Sequence, residues 1–510
     1  MSTYEKPHVA VIGAGPVGLA AGLLLSRFGI RATILEKETR MSGHPKARGV
    51  RPRTMELFAR WGLADAIIRQ GLPPEANRFI YCDSLVGEEV GRSPASEESD
   101  DPVSPMGICR IAQDTIERML RDHVENLDGV DLLLGAEAVA IEQDPESVTV
   151  TTADGREITA DFLIAADGAH SATRSRLGID MEGDALLGYG QSIYWRGDLS
   201  QWVEGRLCIQ FITGNRTGRP ASIAPVDGVD RWVTMLMRPG AHARPEPPTR
   251  REALDAIRAA VGADIDPEII DIATWRLSAQ VARRWRVGRV FLAGDAAHSF
   301  PPTGGFGMNT GVQDVDNLIW KMAEVLGGRA GDSLLDTYEQ ERADIARSNA
   351  AWSVRNGDRI RDIGRAIAAG DGAELERLLE EQRSHVDAAD QDLGYGYPAG
   401  ALAGEDGPDV DALRVARRGH RFPEAPVIVD DELHSSVLTL SDEFTLMTAD
   451  PQFWQRSGRT DSLRVLESAG GLPDGSPGAL VRPDGIVAWV ARPGDGPAEL
   501  VAARAQVLRP

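Results

Sequence analysis

Apolar residues recur along this chain at two periods, and the order in which those periods alternate sets the first expectations. The run His8-Val9-Ala10-Val11-Ile12 is short and continuous, as in a strand. It stops at a glycine cluster, and Leu19 to Phe28 follow as an apolar helical run. A second strand is expected from Arg31 to Leu35, ending in Glu36. The same strand, glycine and helix order returns far downstream. There Arg289-Val290-Phe291-Leu292-Ala293 enters a glycine-rich stretch, and a helical pattern runs from Thr310 to Leu326. Between the two, strands are expected over 190–197, 206–213, 221–225 and 231–238. Trp232-Val233-Thr234-Met235-Leu236-Met237 alternates as a sheet with one buried face would.

Residues 337–379 read as charged helix, and the Gly-, Asp- and Pro-rich stretch 394–408 reads as a linker or long loop. Short apolar runs then alternate with turns, at 436–440, 462–466 and 479–489. The last is expected to be a hairpin by its Pro483-Asp484-Gly485 turn.

Size and composition narrow the class. A chain of 510 residues exceeds one ordinary core, so two or three domains are expected. Its 42% hydrophobic and 26% charged residues suit a globular enzyme. No apolar run is long enough to span a membrane, and the first strand begins too early for a signal peptide, so a cytoplasmic protein is expected. Cys82, Cys109 and Cys208 are far apart and odd in number, which excludes a disulfide framework or a cysteine metal site and fits a reducing compartment. A net charge of −22 argues against nucleic acid and anionic membranes as partners.

The first glycine cluster, Gly13-Ala14-Gly15-Pro16-Val17-Gly18, has the form of a dinucleotide phosphate cradle. Gly13 would make the tight turn, Gly15 admit the pyrophosphate, and Gly18 permit close helix packing. The helix N-terminus would supply N–H groups and a partial positive charge. Seventeen residues separate Gly18 from Glu36, whose carboxylate would accept ribose hydroxyls. An acid there disfavours a ribose 2′-phosphate, so FAD or NAD is expected rather than NADP. Downstream, the Asp295 carboxylate and the loop amides of Pro301 to Asn309 would meet a ribityl chain and a flavin ring.

Three stretches resemble one family. Gly288-Arg289-Val290-Phe291-Leu292-Ala293-Gly294-Asp295-Ala296-Ala297-His298 is similar to the second FAD motif of the group A flavoprotein monooxygenases, the aromatic hydroxylases typified by para-hydroxybenzoate hydroxylase. Asp167-Gly168-Ala169-His170-Ser171-Ala172-Thr173-Arg174 resembles their middle Asp-Gly motif, and Tyr338 to Arg342 their following helix. The resemblance implies cofactor contacts at Gly13, Gly15, Pro16, Val17, Gly18, Glu36, Lys37, Lys46 or Arg48, Arg110, Gln113, Val139, Asp167, Gly168, Asp295, Pro302, Gly305, Gly307, Met308 and Asn309. Arg48 and Arg53 have an alternative reading as surface charges at a helix start, and His170 and Arg174 are candidates for NADPH phosphates. His298 reads as a packing or capping residue.

The implied architecture is α/β. A discontinuous Rossmann-like FAD-binding domain (1–178 and 275–393) would carry an inserted antiparallel β-sheet substrate domain (179–274). A thioredoxin-like C-terminal domain (394–510) would follow, with no cysteine and hence a structural or homodimer-forming role. Tyr194, Trp195, Arg196, Gln210, Phe211, Met235 and Pro301 are the substrate-pocket candidates. The implied activity is NADPH- and O2-dependent hydroxylation (NADH being the alternative donor) of a phenolic or polycyclic, polyketide-like aromatic through a flavin hydroperoxide. No side chain is assigned to catalysis, the chemistry being carried by FAD, and no metal is implied. Baeyer–Villiger insertion, epoxidation, antibiotic inactivation, an NADPH-independent flavin oxidase or dehydrogenase, and a non-catalytic flavin-binding module are the competing readings.

Overall fold

The computed structural model describes residues 6–41, 43–94, 102–214, 220–405, 407, 410–455, 463–472 and 475–510. Ser462 and parts of the linker expected over 394–408 lie outside the described residues.

The strand His8–Ile12 is the centre of a six-stranded sheet. Its order is Arg286–Val287, Val290–Leu292, Phe162–Ala165, His8–Ile12, Arg31–Glu36, Val130–Leu134, parallel except at the first strand. The near-continuous apolar strands are those of a sheet covered on both faces. Helices Pro16–Arg27 and Phe306–Leu326 pack side by side on one face, in a core that includes Val11, Leu23, Phe291, Val312 and Val315. A three-stranded antiparallel sheet, Ala138–Gln143, Val148–Thr152 and Glu157–Ala160, covers the other. Three neighbouring strands therefore end side by side in Gly13, Asp167 and Asp295, although these residues are far apart in the chain.

The second large sheet has eight strands: His298–Ser299, Glu268–Ala282, Met181–Arg196, Arg231–Pro239, Ala221–Pro225, Gln210–Thr213, Phe79–Cys82 and Glu89–Arg92, in that spatial order. The last two come from the N-terminal segment, and Phe79–Cys82 joins the insert by a parallel pairing with Gln210–Thr213. The expected boundary at 274/275 cuts the single strand Glu268–Ala282.

Period-two alternation gives this sheet two faces, and each is claimed by a different neighbour. Ile193, Trp195, Phe211, Ile223 and Trp232 form a core with Ala253, Ile257 and Val261 of helix Arg250–Val261. Tyr194, Val226, Val233 and Met235 pack with Ala112, at the start of helix Gln113–Val124, so their face looks toward the cofactor domain. This corrects the pocket expectation for Trp195 and Phe211. Both are completely buried on the far face, and the Trp195 indole N–H donates to Thr234 Oγ1 at 2.9 Å. Arg196 is also excluded, lying exposed at the strand end beside Asp230 and Glu268.

Helix Ser333–Ala369 leads to a C-terminal unit with a six-stranded sheet. Its strands Thr445–Thr448 and Arg464–Ser468 are parallel, the remaining pairs are antiparallel, and helix Pro497–Val507 closes it. The unit shares a core with the cofactor domain, where Trp320 and Leu334 pack with Phe444, Leu446 and Trp489. Buried charges cross the same boundary. Glu56 accepts two hydrogen bonds from Arg421 and one from Arg53. Glu341 accepts from Lys321, Asn317, Arg482 and the backbone N–H of Ala401. Burial alone would raise the Glu341 pKa, but Arg482 and Lys321 pull it down to about 2.

Candidate cofactor and substrate site

Gly13 sits at φ +102°, and a Cβ there would lie 2.4 Å from the carbonyl oxygen of Ala166, so neither conformation nor space admits another residue. A Cβ on Gly18 would lie 1.9 Å from the oxygen of Gly13. Gly15 differs: nothing lies within 4 Å of its missing Cβ, so this face of the turn is open. Helix Pro16–Arg27 begins there with no side-chain cap, leaving its first N–H groups for an anion. Glu36 is fixed at the turn by the N–H groups of Ala14 (2.8 Å) and Glu38 (2.9 Å), while Lys37 is exposed.

The neighbouring strand end holds Asp167, which accepts from the Thr173 N–H at 3.0 Å through one oxygen. Its other oxygen is buried with no partner. Arg174 is committed to the protein, donating to the carbonyls of Ala296 (2.8 Å) and Ala169 (3.0 Å) and so tying the middle motif to the distal one. His170 is exposed.

At the third strand end Asp295 is exposed, and desolvation by the surrounding protein pushes its pKa up. Gly305, at φ +70°, starts the uncapped helix Phe306–Leu326, which provides a second open N-terminus. Gly307 borders Asp295, its missing Cβ 3.7 Å from Oδ1. Asn309 is buried and holds the loop together. It accepts from the Arg51 N–H (2.9 Å) and donates to the carbonyls of Gly49 (3.1 Å) and Gly305 (2.6 Å). Met308 and Pro301 are buried, whereas Pro302 is exposed.

The segment 45–51 forms the opposite wall. Lys46 is exposed, while Arg48 has one buried guanidinium nitrogen without a partner, and burial lowers its pKa to about 10. Arg110 donates two hydrogen bonds to Asn77 Oδ1, and burial together with Arg51 and Arg48 lowers its pKa to about 9. Gln113 holds Ala47, accepting from its N–H through Oε1 and donating to its carbonyl from the backbone. Val139 is 41% exposed. Arg53 is neither a cofactor contact nor a surface charge: it is buried between Glu56 and the carbonyl of Asp484.

Two open helix N-termini, an open glycine face, an orphaned carboxylate oxygen and an unsatisfied guanidinium nitrogen suit a dinucleotide carrying phosphates and hydroxyls. Among the described residues no cluster of His, Cys, Asp and Glu could hold a metal ion. His298 is buried in packing, hydrogen-bonded to Asp314 at 2.8 Å and stacked on Phe300 at 4.6 Å.

Facing this cleft, the Tyr194 hydroxyl lies 3.3 Å from Arg231 Nη1, and Gln210 donates to Ser222. Sequence reasoning missed one group here. His44, ahead of the Lys46–Arg48 segment, reaches the sheet, with Nδ1 2.8 Å from Asp271 Oδ2 and Nε2 2.7 Å from Ser192 Oγ. No local pattern links three residues so distant in sequence.

The site defines a protein that binds a flavin adenine dinucleotide. The chain belongs to the family described as FAD binding domain, whose model matches residues 6–353. It is 34% identical to a putative polyketide hydroxylase of Streptomyces halstedii, covering 96% of this chain and 94% of that one. With 4-methyl-5-nitrocatechol 5-monooxygenase of a Burkholderia species it shares 33% identity over 95% and 94% of the two chains. A solved ternary complex of aklavinone-11 hydroxylase with FAD and aklavinone superposes with a TM-score of 0.84, at 30% identity and full coverage of both chains.

Proposed function

We propose that the protein is an NADPH-dependent FAD monooxygenase that adds one hydroxyl group to a phenolic or polycyclic aromatic substrate of polyketide type. The observation that carries this reading is the convergence of Gly13, Asp167 and Asp295 at adjacent strand ends, beneath a sheet face bearing Ser192, Tyr194 and Met235. The relatives named for polyketides, nitrocatechol and aklavinone supply the substrate class. Bound FAD, reduced by NADPH, supplies the oxygen-activating chemistry. The protein's part is positional. Gly15 and the two helix N-termini would hold the pyrophosphate, Glu36 the ribose and Asp295 the ribityl chain, with Arg48 and Arg110 providing positive charge nearby. Tyr194, Met235 and Gln210 would cover the substrate and exclude water.

The C-terminal unit is read as a thioredoxin-like scaffold, supported by a parallel strand pair continued by an antiparallel hairpin and a terminal helix. No cysteine follows Cys208, so its use is structural. No described helix is long and apolar enough to cross a membrane.

The test is NADPH oxidation by the purified holoprotein with 2,4-dichlorophenol, 4-methyl-5-nitrocatechol and aklavinone, and mass analysis of the products. At least one compound is expected to accelerate oxidation many-fold and gain one oxygen atom. Reduction of the flavin only by an organic substrate, never by NADPH, would instead identify an oxidase or dehydrogenase.

A further inference from the structure

Arg51 immediately precedes helix Pro52–Arg60, and its guanidinium is buried against the glycine loop that opens helix Phe306–Leu326. Nη1 donates to the Gly304 carbonyl at 2.8 Å, and the guanidinium carbon lies 4.6 Å from the centroid of the Phe306 ring. The rest of the fork is taken by Asp392, which accepts from Nη2 at 2.8 Å and also from Nε. Asp392 sits on helix Ala389–Leu393, in the segment that leads to the C-terminal unit, 341 residues along the chain. Both side chains are at most 5% exposed.

The carbonyls of the glycine loop are held in turn. That of Pro302 accepts from the Gly305 N–H at 3.1 Å, that of Gly304 from Arg51, and that of Gly305 from Asn309 Nδ2 at 2.6 Å. Asn309 is itself oriented by the Arg51 backbone N–H at 2.9 Å. Gly304 and Gly305 stand at φ +135° and +70°, and two consecutive glycines put little steric bar on other orientations of the peptide between them. With these carbonyls occupied, the N–H groups of the uncapped helix start are what the loop has left to offer the cleft.

A buried ion pair adds little net stability, because desolvating both charges offsets their attraction, and its better-attested use is to select one arrangement among several. The arrangement selected here is the Gly304–Gly305 peptide. The Arg51 charge is also felt along the cleft wall, where burial together with Arg51 and Arg48 lowers the Arg110 pKa to about 9.

We propose that Arg51, clamped by Asp392, is a positioning residue that holds the Gly304 carbonyl out of the flavin site, so that the loop presents N–H donors there and favours the reduced cofactor. The inference rests on the flavin-binding part of the reading above. Reduction by NADPH moves one hydride to the flavin and releases NADP+, so the ring system gains one negative charge. Helix-start N–H donors and a nearby guanidinium favour that charge, whereas a carbonyl oxygen turned toward it would oppose it.

The test compares the midpoint potential of the FAD-loaded wild type with that of Arg51→Met/Asp392→Leu. The double change replaces the ion pair by apolar side chains of similar volume, which is often close to neutral for stability. Reduction by xanthine and xanthine oxidase against a reference dye needs neither NADPH nor an aromatic substrate, so its result is separate from the outcome of the hydroxylase test. Melting temperature and flavin content serve as folding controls. The reduction equilibrium is expected to fall at least tenfold, a potential about 30 mV lower for a two-electron couple. Arg51→Lys keeps the charge but lacks the fork needed to serve Asp392 and Gly304 together. It takes the double variant's place if that protein does not retain flavin, and a fall of about threefold is then expected. An unchanged or raised potential means that the pair only fastens helix Ala389–Leu393 to the cofactor domain, and overturns the proposal.

Discussion

Replacing Arg482 by Met strands two buried carboxylates, and the consequence can be worked from the contacts. Arg482 is completely buried and donates to both oxygens of Glu341 at 2.8 Å, to Asp484 Oδ1 at 3.0 Å and to the Ala401 carbonyl at 3.3 Å. Its guanidinium also lies 5.1 Å from the centroid of the Trp320 ring. Lys321, Asn317 and the Ala401 N–H still reach Glu341 after the substitution, so the loss falls on Asp484 and on two of the five hydrogen bonds to Glu341. Breaking one partner of a buried ion pair costs about 3–5 kcal/mol, mostly as the penalty of the uncompensated charge. The assay is urea unfolding of the holoprotein at pH 7.5, read by tryptophan fluorescence and flavin release.

Because the cost lies in stranded charge, Arg482→Met combined with Glu341→Gln should cost less than the sum of the single changes. The pH dependence has a definite sign. The folded Glu341 pKa is depressed to about 2, so its stabilisation is present above the ordinary carboxylate pKa near 4.5 and is lost as pH falls toward 2. The Arg482→Met deficit should therefore shrink below pH 5. Strict additivity, or a deficit under 1 kcal/mol at pH 7.5, would refute the idea that this network joins the C-terminal unit to the cofactor helix.

Other outcomes follow from the same geometry. Gly13→Ala should abolish FAD retention and lower the melting temperature, because its Cβ meets the Ala166 oxygen. Gly15→Ala meets nothing in the protein, so it should melt like wild type while binding FAD about tenfold more weakly, measured by flavin titration of the apoprotein. Burial raises the Asp316 pKa to about 6, so its ionisation opposes folding as pH rises from about 4 to 6. Asp316→Asn should thus stabilise by about 1–3 kcal/mol at pH 8 and by little at pH 4, compared by urea unfolding at the two pH values. Trp195→Ala should cost about 3–5 kcal/mol of stability. Tyr194→Ala should instead raise the KM for the aromatic substrate several-fold, and steady-state kinetics with melting curves separate the two.

The contrast between Trp195 and Tyr194 shows where the sequence stops being legible. The cradle could be read because its demands are local: Gly13 and Gly18 each meet backbone within the same turn or the adjacent strand end, and no other residue fits. Adjacency of the strands ending in Gly13, Asp167 and Asp295 could be inferred only through resemblance, since parallel pairing leaves no short-range mark. Period two predicts that a sheet has two faces but is symmetric between them. Helix Arg250–Val261 breaks the symmetry by claiming Trp195 and Phe211.

Strands Phe79–Cys82 and Glu89–Arg92 join the substrate sheet through a pairing that no turn signal announces. Arg53 is the sharpest case. At the start of a helix a guanidinium reads as a surface charge or a phosphate ligand, and its burial rests on Glu56 one turn on together with a carbonyl 431 residues away. His44 obeys the same logic, with partners 148 and 227 residues distant. Residues whose partners lie within a turn are legible from sequence. Those whose burial or chemistry depends on a remote partner become legible only when the fold brings that partner in, and they sit at the boundaries between the units of this chain.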